Sequence, residues 1–329
     1  EFLQAECETA SINMVYGAAA AGKLSMTATS GPGMSLMQEA LSYLAGAELP
    51  GVIVNIQRAG PGLGNVYPEQ ADYNQAVKGG GHGNYHCAVL APGNVQEMCD
   101  LTLEAFALSF RHRNPVIVLA DAVLGQMMET LRLPSAEAPR PATADWAVQG
   151  DAATRRNLIT SIFLNAPMQE RHNQHLQAKY AAMQREARWE TYRTEDADIV
   201  LTGYGISSRI ARTAVDTLRE GGIRAGLFRP ITLYPFPASA LRETVAGRQT
   251  VVVELSCGQY RDDVALQLGV PADSLTLLNR MGGMLITADE VVAGVQARLR
   301  GAVCPSPAAD PVEASDTSWT PDCPTATAP

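Results

Sequence analysis

The chain is poor in features that would announce a common ligand. Its six cysteines, Cys7, Cys87, Cys99, Cys257, Cys304 and Cys323, form no Cys-x-x-Cys pair. Without one, this chain alone holds neither a zinc knuckle nor an iron–sulfur cluster, and free thiols fit a reducing compartment. No basic run stands out, and 25 Lys+Arg against 34 Asp+Glu leave a formal charge of -9. That balance gives a nucleic-acid backbone little to hold on to. No stretch reaches the roughly 18 consecutive apolar residues of a membrane span, and no basic-then-apolar leader opens the chain. A soluble cytoplasmic protein, with neither nucleic acid nor membrane as partner, is expected. The opening "EFLQAECETASINMVYGAAAAG" lacks an initiator Met, so an N-terminal truncation is also expected.

What is present is enough apolar material for cores. Of 329 residues, 46% are hydrophobic, which suits about two domains. Small and apolar residues at helical spacing over 5–22 lead to a strand-like "LSMTAT" and the turn "SGPG". Helical spacing returns over "MSLMQEALSYLAGAELP", followed by "GVIVNIQ", a β-branched run apolar on both faces, as a central parallel strand requires. "CAVLAP", a helix from Val95 capped by Asn94, and the strand "NPVIVLAD" continue the alternation. Residues 1–125 therefore read as a doubly wound α/β unit. Residues 126–195 read as a linker carrying one polar helix. A second α/β domain spans 196–300, with strands at Gln249–Glu254 and Leu275–Leu278 and helices at Ala238–Val245 and Ala288–Arg298. The Pro-, Ala-, Ser- and Thr-rich stretch 301–329 reads as a disordered tail.

Several stretches could carry chemistry. "TSGPG" joins a strand to a helix, where backbone amides can hold an anion or close around a cofactor ring; it can equally be a plain tight turn. The loop "RAGPGLGN" follows the central strand, but no Lys-Ser/Thr follows its glycines and no helix starts at once, which weakens a phosphate-cradle reading. Arg58 stands where open α/β sheets bind ligands, with a planar fork suited to a carboxylate; a surface ion pair would account for it equally well. "KGGGHGNYHC" sets His82 among four glycines, a costly composition unless something approaches the backbone. With only His86 nearby, it is a poor metal site. Glu6 and Glu8 sit at the start of the first helix, where an acid is favoured by the helix dipole. Cys257 has no base beside it in sequence, and Glu254 reads as structural.

Taken in order, "TATSGPGMSLMQE", "VNIQRAGPGLGN", "GGGHG", "LADAVLGQMME", "GLFRPITLYPFP" and "VVVELSCGQ" resemble the α subunits of 2-oxoacid:ferredoxin oxidoreductases. The likeness covers residues 1 to about 300 and is strongest to the 3-methyl-2-oxobutanoate (2-ketoisovalerate) type; the 2-oxoglutarate type is the alternative within the family. It implies a pyrimidine-binding-type domain of thiamine enzymes joined to a transketolase C-terminal-like domain. It also implies oxidative decarboxylation of a 2-oxoacid to an acyl-CoA, with electrons passed to ferredoxin. Thiamine pyrophosphate would be shared with a partner subunit. Mg²⁺ and [4Fe-4S] clusters would belong to the β, γ and iron–sulfur subunits, and coenzyme A would be a co-substrate. On this likeness Glu8 is the catalytic residue, hydrogen-bonding the aminopyrimidine nitrogen and driving the imino tautomer, with Glu6 second. Ser30, Gly31, Pro32 and Gly33 line the cofactor pocket, Arg58 pairs with the substrate carboxylate, and His82 lies near the site. Family members open with a strand and a Tyr-Pro-Ile-Thr-Pro turn that this sequence lacks. A non-catalytic module that binds acyl-CoA or a nucleotide is the competing reading.

Overall fold

The computed structural model describes residues 1–133 and 144–301; the tail read over 301–329 lies outside the described residues from 302 onward. The first unit runs α1 (Glu8–Ala20), β1 (Met26–Thr29), α2 (Pro32–Gly46), β2 (Gly51–Gln57), α3 (Tyr73–Val77), β3 (Ala88–Leu90), α4 (Val95–His112), β4 (Pro115–Asp121) and α5 (Ala122–Gln126). β2 and β4 form the centre of the sheet, pairing in parallel from Gly51 opposite Pro115 to Gln57 opposite Asp121. Both are apolar on two faces because helices cover both sides. Ile53, Val118 and Leu119 are fully buried, and each such side chain stabilises the fold by about 1.5–3 kcal/mol. α4 starts where the sequence says it should, since the Asn94 side chain accepts from the Glu97 amide at 2.8 Å, satisfying a helix-end donor.

After the polar helix α6 (Ala166–Ala182) come β5 (Trp189–Tyr192), β6 (Ile199–Thr202), α7 (Gly205–Glu220), β7 (Ala225–Pro230), β8 (Thr232–Tyr234), α8 (Ala238–Val245), β9 (Gln249–Glu254), α9 (Gln259–Leu268), β10 (Thr276–Asn279) and α10 (Ala288–Leu299). The second sheet has the order β10-β9-β6-β7-β5, parallel except for β5. β5 falls inside the stretch read as linker, and it forms the antiparallel edge of the second sheet. The first sheet has the order β1-β2-β4-β3-β8, so its last strand is lent by the second unit. Val89 stands opposite Tyr234 and Leu90 opposite Thr232 in antiparallel register.

A polar seam ties the units together. Gln70 is buried and makes three side-chain bonds across the seam. Its amide nitrogen donates to the Tyr204 carbonyl at 2.9 Å. Its side-chain oxygen accepts from Ser207 Oγ at 2.7 Å and from the Leu255 amide at 3.1 Å. Tyr73, Tyr204 and Tyr260 pack ring to ring with centroids 5.5–5.6 Å apart. Such pairs add about 0.5–1.5 kcal/mol beyond the area they bury. Among the described residues no helix is long and apolar enough to cross a membrane.

Candidate active site

The carboxyl ends of β1, β2 and β4 bring the candidate residues together. β1 ends at Thr29, β2 ends one residue before Arg58, and β4 ends at Asp121. This is the edge at which open parallel sheets bind ligands.

The turn from Thr29 to Gly33 is the hub. Gly31 adopts φ +56 and precedes Pro32, the first residue of α2, an arrangement in which glycine supplies the left-handed backbone and proline the preset helical φ. A Cβ placed on Gly33 would stand 2.1 Å from Thr29 Oγ1 and 2.8 Å from Glu8 Oε1. A Cβ placed on Gly31 would stand 2.6 Å from Arg58 Nε. The two glycines are thus the contact points at which the Glu8 carboxylate and the Arg58 guanidinium meet one turn. Ser30 and Pro32 are half-buried between them.

Glu8 is the first residue of α1, preceded by an extended Cys7 that makes no side-chain cap. An acid in the first turn faces the positive end of the helix dipole. α1 is pinned to β1 by Ser11 Oγ and Thr27 Oγ1 at 2.6 Å, which fixes the distance from Glu8 to the turn. Glu6, Glu8, Ser11, Thr27 and Met37 line part of a cavity of about 610 Å³ along the outer side of β1.

Among the described residues, Arg58 Nε is buried with no hydrogen-bond acceptor and no carboxylate lies within ion-pair distance of the guanidinium. A buried donor left open is costly unless a ligand completes it. Asp72 supplies a more distant opposite charge. Its pKa is raised by burial, with the Asn55 side chain, which donates at 3.0 Å, and the Arg58 charge pulling it back down.

His82 is exposed at the crown of its loop. No hydrogen bond or ion pair joins it to Glu8 or Arg58 among the described residues. Gly80 and Gly81, just before it, serve a close approach instead. A Cβ on Gly81 would meet the Gln38 carbonyl oxygen at 2.4 Å, so this backbone lies flat on α2. Cys87 is fully buried and its thiol is pushed up to about 12 by burial. Glu254 is buried at the end of β9, accepting from Gly258 N and Arg261 N at 2.7 and 2.8 Å and from Ser256 Oγ, so it shapes the turn into α9.

Sequence reasoning missed Glu69, Gln70 and Asp121. Glu69 accepts backbone amides from both units (Gly60 N at 3.0 Å, Gly282 N at 2.9 Å). Asp121 accepts from Val123 N at 3.1 Å, Leu124 N at 3.2 Å and, across the seam, Ile206 N at 3.2 Å. Burial raises the Asp121 carboxyl to about 6, the three amides pulling the other way.

Residues 1–197 match the family described as pyruvate flavodoxin/ferredoxin oxidoreductase, thiamine diphosphate-binding. The chain belongs to this family. Residues 197–291 match the core domain II of pyruvate:ferredoxin oxidoreductase. Among relatives of this pyruvate:ferredoxin oxidoreductase family, the ketoisovalerate oxidoreductase subunit VorB of Methanothermobacter marburgensis is 58% identical over 90% of this chain and 84% of its own length. The 2-oxoglutarate synthase subunit KorA of Archaeoglobus fulgidus is 38% identical over 80% of this chain and 77% of its own. In structure, the chain is similar to the 2-oxoglutarate:ferredoxin oxidoreductase of Magnetococcus marinus, with TM-score 0.77 and 25% identity over 91% of this chain and 57% of that one. A split-gene transketolase shares the fold at TM-score 0.54 and 15% identity, over 91% of this chain and 83% of that one. The α/β class expected from the alternation of strands and helices and the family expected from the motifs both hold.

Proposed function

We propose that this chain is the α-type subunit of a thiamine diphosphate-dependent 2-oxoacid:ferredoxin oxidoreductase. In this reading it converts a branched-chain 2-oxoacid, 3-methyl-2-oxobutanoate, to its acyl-CoA and reduces ferredoxin. The observation that carries the reading is the single turn, Thr29–Gly33, flanked by a half-buried acid at Gly33 and by an unpaired cation at Gly31. Relatives named for ketoisovalerate at 58% and 56% identity, against 38% for the 2-oxoglutarate subunit, favour the branched-chain substrate.

Glu8 and the turn Ser30–Gly33 would hold the aminopyrimidine, with Gly33 letting the Glu8 carboxylate lie against the turn where any Cβ would push it away. When bound, the cofactor supplies the carbanion chemistry that lets a 2-oxoacid lose carbon dioxide. Glu8 would exchange a proton with the ring through its carboxylate, the general acid–base role that its position at a helix start and beside the turn permits. Arg58, whose guanidinium has no ion-pair partner among the described residues, would take the substrate carboxylate and so orient the keto carbon toward the turn. The Mg²⁺, the diphosphate contacts and the iron–sulfur clusters would come from β, γ and iron–sulfur partner subunits, with coenzyme A and ferredoxin as acyl and electron acceptors. His82 would be a neighbour of the site rather than a participant.

The test is the substrate profile of the assembled complex with a low-potential electron acceptor. Coenzyme A-dependent oxidation should be fastest with 3-methyl-2-oxobutanoate and slower with 2-oxoglutarate and pyruvate. A preference for 2-oxoglutarate would replace the substrate, and no turnover with any 2-oxoacid would refute the reading.

A further inference from the structure

The loop that follows Arg58 closes on itself. Ala59 N donates to the Tyr67 carbonyl at 2.9 Å and Asn65 N to the Ala59 carbonyl at 3.1 Å, and Arg58 forms a single antiparallel bridge with Pro68. Gly64, at φ +53, lies so close to the Ala59 carbonyl that an added Cβ would stand 1.8 Å from its oxygen.

At the base of this loop Glu69 is only 4% exposed. Its Oε2 accepts the Gly60 amide at 3.0 Å and its Oε1 accepts the Gly282 amide at 2.9 Å. Gly60 is two residues from Arg58, while Gly282 belongs to the loop between β10 and α10 in the second unit. Among the described residues no lysine or arginine lies within ion-pair distance of Glu69. A buried carboxylate is expensive and is retained where both oxygens are used. The facing loop is held in turn. Asn65 Nδ2 donates to the Gly282 carbonyl at 3.1 Å, a Cβ on Gly283 would stand 2.6 Å from that of Tyr67, and Arg280 pairs with Glu290.

We propose that Glu69 is a positioning residue for the 2-oxoacid. By joining the amides of Gly60 and Gly282, it lets the second unit set where the Arg58 guanidinium stands. The inference rests on the reading of Arg58 as the ligand of the substrate carboxylate. A guanidinium fork binds a carboxylate well only in one orientation, so a small displacement of the loop weakens binding without touching the acid on the other side of the turn.

The experiment is steady-state kinetics of the assembled holoenzyme carrying Glu69→Gln. The glutamine keeps the size but puts an NH₂ donor against one of the two amides, so one bond is lost. The KM for the 2-oxoacid should rise about tenfold. The inhibition constant of oxamate, a carboxylate-bearing 2-oxoacid analogue, should rise in parallel, while kcat, the KM for coenzyme A and thiamine diphosphate affinity stay near wild type. Asn65→Ala, which removes the bond to the Gly282 carbonyl together with the one accepted from the Tyr67 amide inside the loop, should give a smaller rise of about threefold. It decides the question alone if Glu69→Gln does not assemble. A purely structural role would lower kcat together with the melting temperature and leave KM and oxamate inhibition unmoved, which overturns the proposal. Wild-type KM in Glu69→Gln beside a raised KM in Arg58→Lys overturns the clamp but keeps the Arg58 reading. Wild-type KM in both overturns the Arg58 reading itself.

Discussion

Glu8 and Arg58 flank the same turn, yet they are held there by different means. Glu8 depends on a short, local path: α1, one hydroxyl contact between Ser11 and Thr27, and Gly33. Arg58 depends on a loop whose base is fastened to the second unit through Glu69, Gln70 and Asn65. The acid side of the site belongs to one sheet, while the cation side is shared by two. On the proposed roles of Glu8 and Arg58, chemistry at the cofactor should therefore be separable from substrate binding, and substrate binding should respond to changes at a distance.

The largest effect is expected at the local side. Glu8→Gln removes a titratable proton without changing size, and kcat of the assembled enzyme should fall by about 100-fold or more. The KM for the 2-oxoacid should change little. A comparable rise in KM would mean that the two sides are not separate.

A smaller effect is expected at the seam. The folded-state pKa of Asp121 is raised by burial from an ordinary 3.8 to about 6, so between these values the folded protein binds more protons than the unfolded one. Its contribution is fully present below about pH 4 and is lost as pH rises through about 6. The melting temperature should carry a downward component over that window. Asp121→Asn should flatten it by a few degrees while leaving the KM for coenzyme A alone. A profile unchanged by the substitution would remove Asp121 from the account of the seam.

Much of this was legible in the sequence because local rules dominate. The β-branched runs of β2 and β4 could only be central strands, the Asn94 cap marks the start of α4, and the Gly-Pro-Gly of the turn states its own backbone. β8 and Glu69 were not legible, for a different reason in each case. β8 is three residues long, too short for a period, and its partner β3 lies more than a hundred residues earlier in the chain. Glu69 looks like any loop acid. Only the packing of the 280–285 loop against it removes water and turns it into a shared acceptor, and no spacing rule encodes that. The same holds for Arg58: its type and its position at a strand end pointed to a carboxylate, but that its Nε stays open emerges only when its surroundings are in place.

The most direct measurement is the kinetic and binding profile of Arg58→Lys in the assembled enzyme. Lysine keeps the charge and loses the fork, so the account predicts a KM for the 2-oxoacid raised about tenfold or more, with thiamine diphosphate affinity unchanged. An unaltered KM, or a loss of cofactor affinity in its place, would contradict it.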